Sequence, residues 1–283
     1  MSHGGIAWLA GQWGDATELT IPLQDRGLRL ADGLFETVLV WAGQPQLLAA
    51  HLQRWRDGAA LLAMAAPPDP SWLKPLIQEA IERAQLPGGH GALRLNWSRG
   101  TAGGRGIDLA TAADEPAAHR FWLQLSACEP AFSPQTAWIS RQERRNADSL
   151  LSRCKTFAYG QAIQARHEAR AAGADEALLL SSSGGGLCCG AVANLLVRHR
   201  GHWLTPPLRS GCLPGVMRGR ALELGLAVEA DLAAALTELP PEESDARWLL
   251  LNSLGCRPLS AIDGRPLPHL SAAEAEAFWR QLL

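Results

Sequence analysis

Residues 149–161 read SLLSRCKTFAYGQ, and the stretch runs on as AIQARHEARAAGADEALLL to residue 180. Of the 26 basic side chains in the sequence, only Lys74 and Lys155 are lysines. Lys155 stands between Cys154 and Thr156 at the approach to an apolar run. Phe157, Ala158, Ala162, Ala165 and Ala169 recur at helical spacing, so the pattern predicts a helix over 155–172, closed by Gly173. The run ALLLS at 177–181 follows as a strand. A lysine held among apolar neighbours loses solvation in its charged form, which lowers its pKa and frees an amine for nucleophilic or base chemistry. Lys74 precedes Pro75 at a polar helix start and reads as solvated. Chemistry that needs a primary amine therefore points to Lys155.

Outward from that stretch, the chain alternates hairpins with scattered helices. Ile6–Leu9 and Trp13 flank a Gly11-Gln12 turn, and DRGLRLADGLFET (25–37) leads into a strand at Phe35–Trp41. A helix is expected over 48–66, ended by Pro67, Pro68 and Pro70, and a second from Ser71 as N-cap to about Gln85. Strands follow at Ala92–Trp97 and Phe121–Ala127, separated by the glycine-rich RGTAGGRGID (99–108). Later strands are expected at Ala193–Arg198, His202–Thr205 and Trp248–Asn252. Helices are expected after Gly215, near Asp231–Leu236 and over Ser271–Leu283. The SSSGGG run at 181–186 reads as a hairpin tip. This mixture indicates α+β rather than a wound parallel sheet.

Composition narrows the function classes. At about 150 residues per domain, the 283 residues suggest two domains. The Pro-containing 129–134 divides a small domain at 1–128 from a larger one at 135–283. A 47% hydrophobic and 19% charged composition supplies a core and argues against global disorder. A net charge of −2 argues against nucleic acid or acidic lipid as the main partner. The N-terminus shows no secretory pattern, and the apolar stretch at 59–68 is short of the ~20 residues of a membrane helix. Six cysteines without a C-x-x-C pair fit a reducing, cytoplasmic setting. His199 and His202 belong to a hairpin turn rather than a ligand pair, and no metal is expected. Gly215 precedes a helical run, so the Val216 and Met217 amides lie in a first turn suited to a phosphate. The GGRG at 103–106 offers backbone and a cation to an anion.

Several of these segments, in this order, resemble the class IV aminotransferases, the fold-type IV pyridoxal-phosphate enzymes. The likeness rests on DRGLRLADGLFET (25–37), HLQRW (51–55), SRGTAGGRG (98–106), Lys155 and its flanks, AVANLLV (191–197), LTPPLRSGCLPGVMRG (204–219) and LNSLGCRPLS (251–260). The family holds D-amino-acid and branched-chain aminotransferases and aminodeoxychorismate lyase, and SRG combined with GGRG looks most like the lyase. The resemblance implies a small N-terminal α/β domain and a larger C-terminal mixed β-barrel-like domain. It also implies an active site between them, pyridoxal 5'-phosphate as cofactor, a small substrate bearing an amine and carboxylates, and a homodimer. By this resemblance Lys155 forms the Schiff base and shuttles protons. Arg54 pairs with the cofactor phosphate, and Val216, Met217 and Asn252 or Ser253 lie around that phosphate. Asn194 flanks the ring, and Arg99 and Arg105 face substrate carboxylates.

One position departs from the family pattern. E-x-x-x-x-N places a glutamate five residues before the asparagine, where it pairs with the ring nitrogen, and here that residue is Cys189 in GLCCGAVAN (186–194). A thiol with a reference pKa of about 8.5 is mostly neutral at pH 7 and cannot form that ion pair. A weaker electron sink disfavours transamination, leaving lyase chemistry first, an aminotransferase second, and a cofactor-binding protein with little turnover third. Leu30, where the family has an aromatic, is a milder departure.

Overall fold

The computed structural model describes residues 5–101, 107–108, 119–199, 201–233 and 246–283. The chain divides into two compact units, residues 1–129 with 154–158, and residues 130–153 with 159–283. Among the described residues, no helix is long and apolar enough to cross a membrane.

The first unit runs β1 (Ile6–Leu9), β2 (Gln12–Asp15), α1 (Arg26–Leu30), β3 (Gly33–Trp41), β4 (Gln44–Pro45), α2 (Leu48–Leu61), α3 (Pro70–Ala84), β5 (Gly91–Ser98) and β6 (Arg120–Ala127). Its sheet has the order β2-β1-β6-β5-β3-β4, with antiparallel neighbours throughout. β3 pairs with β5 from Gly33↔Ser98 to Val40↔Gly91, which makes these two strands the backbone of the unit. Leu52, Trp55 and Ala59 of α2 and Leu73, Ile77 and Ala80 of α3 share one buried cluster with Val38, Leu93 and Leu123 of the sheet. Their spacing by three and four puts them on one helix face.

Two helix boundaries in this unit differ from the sequence reading. α2 stops at Leu61, ahead of the prolines, because Ala63 turns left-handed at φ 49°. The cap of α3 is Asp69, whose carboxylate accepts from the Ser71 amide, and Pro70 occupies the first turn, where its missing N–H costs nothing.

The second unit runs β7 (Gln135–Arg145), α4 (Gly160–Ala171), β8 (Glu176–Ser181), β9 (Leu187–Gly190), β10 (Asn194–His199), β11 (His202–Thr205), α5 (Val216–Glu223), β12 (Ala227–Glu229), β13 (Arg247–Asn252), β14 (Gly255–Ile262), β15 (Arg265–Pro266) and α6 (Ala272–Arg280). Its mixed sheet follows β12-β11-β10-β13-β14-β7-β8-β9, and β9 also pairs with β10 at Cys189↔Asn194. β7 and β8 are parallel, joined through α4. Ser271 caps α6 with a capping box to Glu274, and the SSSGGG run is the β8–β9 hairpin tip. Of the helix expected near 231–236, residues 234–236 lie outside the described residues. Leu232 instead bridges Leu187 as an extended residue.

The helix expected over 155–172 is corrected most. α4 begins at Gly160, and residues 154–158 belong with the first unit rather than the C-terminal one. The cause is backbone pairing: the Phe35 amide donates to the Lys155 carbonyl at 2.9 Å, and the Phe157 amide to the Gly33 carbonyl at 3.0 Å. A strand-like strip cannot also satisfy helical i to i−4 bonds.

Candidate active site

Lys155 sits on that strip. Its flanking residues Cys154 and Thr156 are buried, and Thr156 bridges Leu34 of β3. The strip can approach because β3 starts with a glycine: a Cβ at Gly33 would fall 2.2 Å from the Phe157 ring. The lysine amine lies 4.3 Å from the centroid of the buried Phe35 ring, and the Arg94 guanidinium carbon lies 3.6 Å from the same centroid. Arg94 is held in turn by Nε donating to Asn96 Oδ1 at 2.7 Å.

Arg54 and His51 occupy one face of α2, three residues apart, and both reach Glu36 of β3. Arg54 donates from Nε to Oε1 at 2.8 Å and from Nη2 to Oε2 at 2.6 Å, while His51 Nδ1 is 2.7 Å from Oε2. Glu36 is fully buried. Burial alone would raise its pKa, but the Arg54 charge and the His51 and Arg54 hydrogen bonds overcome that and hold it at about 2.

The other expected cations are placed differently. Arg99 donates from Nε to both oxygens of Asp32, from Nη1 to the Ala63 carbonyl and from Nη2 to the Leu62 carbonyl. All three nitrogens thus have protein acceptors. Arg26 shares Asp32, and the buried Asp25 accepts from the Gly27 amide, Ser98 Oγ and Arg120 Nε. These ion pairs tie α1 to the ends of β5 and β6. Arg105 lies outside the described residues.

In the second unit Asn194 opens β10, opposite Cys189 on one side and Leu251 on the other. Its Nδ2 donates to the Leu213 carbonyl at 2.9 Å, and its Oδ1 lies 1.9 Å from where a Cβ on Gly215 would sit. Gly215 caps α5 without a side-chain bond, so the Val216 and Met217 amides begin a first turn with no capping oxygen from that residue. Asn252 shapes the β13–β14 turn that holds Ser253: its Oδ1 accepts from the Leu254 amide at 2.8 Å.

The sequence profile of the family Amino-transferase class IV matches residues 33–262, which span every element just described from β3 to β14. The chain belongs to the class IV aminotransferase family. It is 28% identical over 261 residues, covering 87% of each chain, to a bifunctional aminodeoxychorismate lyase / D-amino acid transaminase of Mycobacterium tuberculosis. Its fold matches the fold IV transaminase CpuTA1 of Curtobacterium pusillum with a TM-score of 0.80, at 23% identity and covering 97% and 98% of the two chains. It also matches the pyridoxal-phosphate-bound form of a hypothetical aminotransferase of M. tuberculosis with a TM-score of 0.78, at 23% identity and covering 98% and 96%. Enzymes of this class IV family depend on pyridoxal phosphate and act as lyases or aminotransferases.

Most of the residues present suit that cofactor. A primary amine stands on an aromatic face, and a guanidinium is fixed in plane by a carboxylate. A helix begins with a glycine whose missing Cβ makes room for the Asn194 amide, and its first amides suit a phosphate.

Cys189, the residue expected from the resemblance to face the ring nitrogen, is the exception. Cys189 is buried in β9, in a cluster with Cys188 and Cys212. Cys188 Sγ donates to the Ser210 carbonyl at 3.3 Å and Cys212 Sγ to the Pro206 carbonyl at 3.5 Å. Hydrogen bonding to Cys189 raises the Cys188 thiol far above its ordinary value, and bonding to Cys188 does the same for Cys212, with burial adding to both. The neighbouring buried acid, Glu176 of β8, accepts from the Ala177 amide at 2.8 Å and lies 3.8 Å from Arg166. Burial raises its pKa.

Sequence reasoning passed over Phe35, Glu36, His51 and Arg94. Glu36 carried a signal: a carboxylate inside the apolar strand LFETVLV requires a buried cation.

Proposed function

We propose that this chain is a pyridoxal-phosphate-dependent lyase that converts 4-amino-4-deoxychorismate to p-aminobenzoate and pyruvate. The observation that carries the reading is Cys189, buried opposite Asn194 where the family pattern has a carboxylate. When bound, pyridoxal phosphate supplies a conjugated ring that accepts the electron pair released at the substrate carbon. Lys155 holds the cofactor through its amine, Arg54 and the Val216 and Met217 amides hold its phosphate, and Asn194 flanks its ring. Asn252 and Ser253 lie in the turn proposed to border the phosphate.

The free Lys155 amine would remove the proton from the amine-bearing carbon of the bound substrate. The Phe35 face stabilises the ammonium that forms, by about 0.5–2 kcal/mol. The carbon–oxygen bond to the enolpyruvyl group then breaks as the substrate ring becomes aromatic. Lys155 returns a proton to the departing enolpyruvate, which becomes pyruvate. Aromatisation lowers the barrier, so this route leans less on a protonated cofactor nitrogen than amino transfer does. With the Arg99 nitrogens already on protein acceptors, Arg94, held on the Phe35 ring, is the cation proposed to meet a substrate carboxylate.

The test is product formation: p-aminobenzoate and pyruvate in equal amounts from protein loaded with the cofactor, and none from Lys155→Ala. Loaded protein that leaves 4-amino-4-deoxychorismate unchanged refutes the reading. A second reading, amino transfer from D-amino acids, draws support from the bifunctional relative. It is measured with D-alanine and 2-oxoglutarate.

A further inference from the structure

Glu36 is a carboxylate in the middle of a strand whose flanking residues Leu34, Phe35, Val38 and Leu39 are all buried. Such a group must be paired to remain charged, and pairing it with Arg54 and His51 is a poor way to hold α2 on the sheet. Leu52, Trp55 and Ala59 already do that, and buried ion pairs stabilise less than apolar groups of similar volume. The geometry has a second consequence. A guanidinium at the end of four rotatable bonds takes many orientations, whereas a fork from Nε and Nη2 to the two oxygens of one carboxylate sets its plane and direction. His51, one helical turn earlier on α2, bonds Oε2 and keeps the carboxylate itself from turning.

Resting on the cofactor reading above, we propose that Glu36 is the positioning residue for the phosphate-binding Arg54, with His51 holding Glu36. The carboxylate gives up net positive charge at the phosphate in exchange for orientation. On this proposal Glu36 acts on the cofactor only through Arg54, so its effect on binding is expected at the phosphate and not at the pyridine ring.

The experiment compares binding of pyridoxal phosphate with binding of pyridoxal, which lacks the phosphate, in wild-type protein and in Glu36→Gln. Thermal stability is recorded alongside. The expected result is PLP affinity weakened about tenfold or more, with pyridoxal affinity within about twofold of wild type. Equal losses for both ligands would make Glu36 merely structural and overturn the proposal. Unchanged or tighter PLP binding would overturn it as well.

If Glu36→Gln alone does not fold, because the half-buried Arg54 is left without its carboxylate, the comparison is made between Arg54→Met and Arg54→Met/Glu36→Gln. There the second substitution is expected to leave the PLP-to-pyridoxal affinity ratio unchanged, and a further fall in that ratio overturns the proposal. Wild-type protein that binds PLP no better than pyridoxal would instead refute the cofactor reading itself, whatever Glu36 does.

Discussion

Replacing Gly215 by alanine tests whether the start of α5 and the Asn194 amide form one seat. The new Cβ would fall 1.9 Å from Asn194 Oδ1, so the two must separate by about 1 Å or more to reach an ordinary contact. Asn194 is buried and its Nδ2 is bonded to the Leu213 carbonyl, so turning the amide away breaks a bond next to the turn that enters the helix. The cost of a buried amide left unpaired is about 1–3 kcal/mol. In a unit of this size that lowers the melting temperature by about 3–10 °C.

The alternative to turning the amide, a shift of the first turn of α5, moves the Val216 and Met217 amides and weakens phosphate binding. Gly219, also in α5, has nothing beyond its own helix backbone within 4 Å of its missing Cβ. Alanine there is expected to stabilise by about 0.5–1 kcal/mol through helix entropy. Differential scanning fluorimetry and PLP titration of Gly215→Ala and Gly219→Ala decide the matter. A Gly215→Ala protein as stable as Gly219→Ala, and binding PLP as well, refutes the reasoning.

Stability should fall in acid through Glu36. Its folded pKa, about 2, lies below the ordinary 4.5, so the stabilisation is complete above pH 4.5 and is lost as pH drops toward 2. The loss is about 3 kcal/mol by denaturant titration, and Glu36→Gln should flatten that part of the profile. Cys189→Glu should speed the half-reaction with D-alanine, followed by stopped-flow absorbance; a rate equal to wild type means the thiol position does not govern the electron sink. The chain is expected to be a homodimer, and a monomer by light scattering at micromolar concentration counts against that.

Much of the fold and part of the site were legible in the sequence. The β1–β2 hairpin, β3, β5, β6 and α6 were readable because turn residues or a capping box bound their apolar patterns. β7 was not: QTAWISRQERR is polar over its second half, and its strand identity comes from parallel pairing with β8 and β14. β9 is only four residues and its partner β10 approaches at a single pair, so LCCG carried too little pattern to be read.

Lys155 stood out as one of two lysines, but its setting was hidden. The pairing of Thr156 with Leu34 spans more than a hundred residues, and local apolar spacing favoured a helix instead. Arg99 was expected to face a substrate carboxylate from the resemblance alone; nothing in the sequence reveals that Asp32 and the Leu62 and Ala63 carbonyls just past α2 converge on it. Glu36, by contrast, was written in the sequence as a charge inside an apolar strand.

The central claim is that Lys155 is the amine that carries the cofactor. Protein incubated with pyridoxal phosphate, reduced with borohydride and digested should carry the phosphopyridoxyl group on the peptide containing Lys155. It should be lost in Lys155→Ala. A label on Lys74, or no label on folded protein saturated with pyridoxal phosphate, would contradict the account.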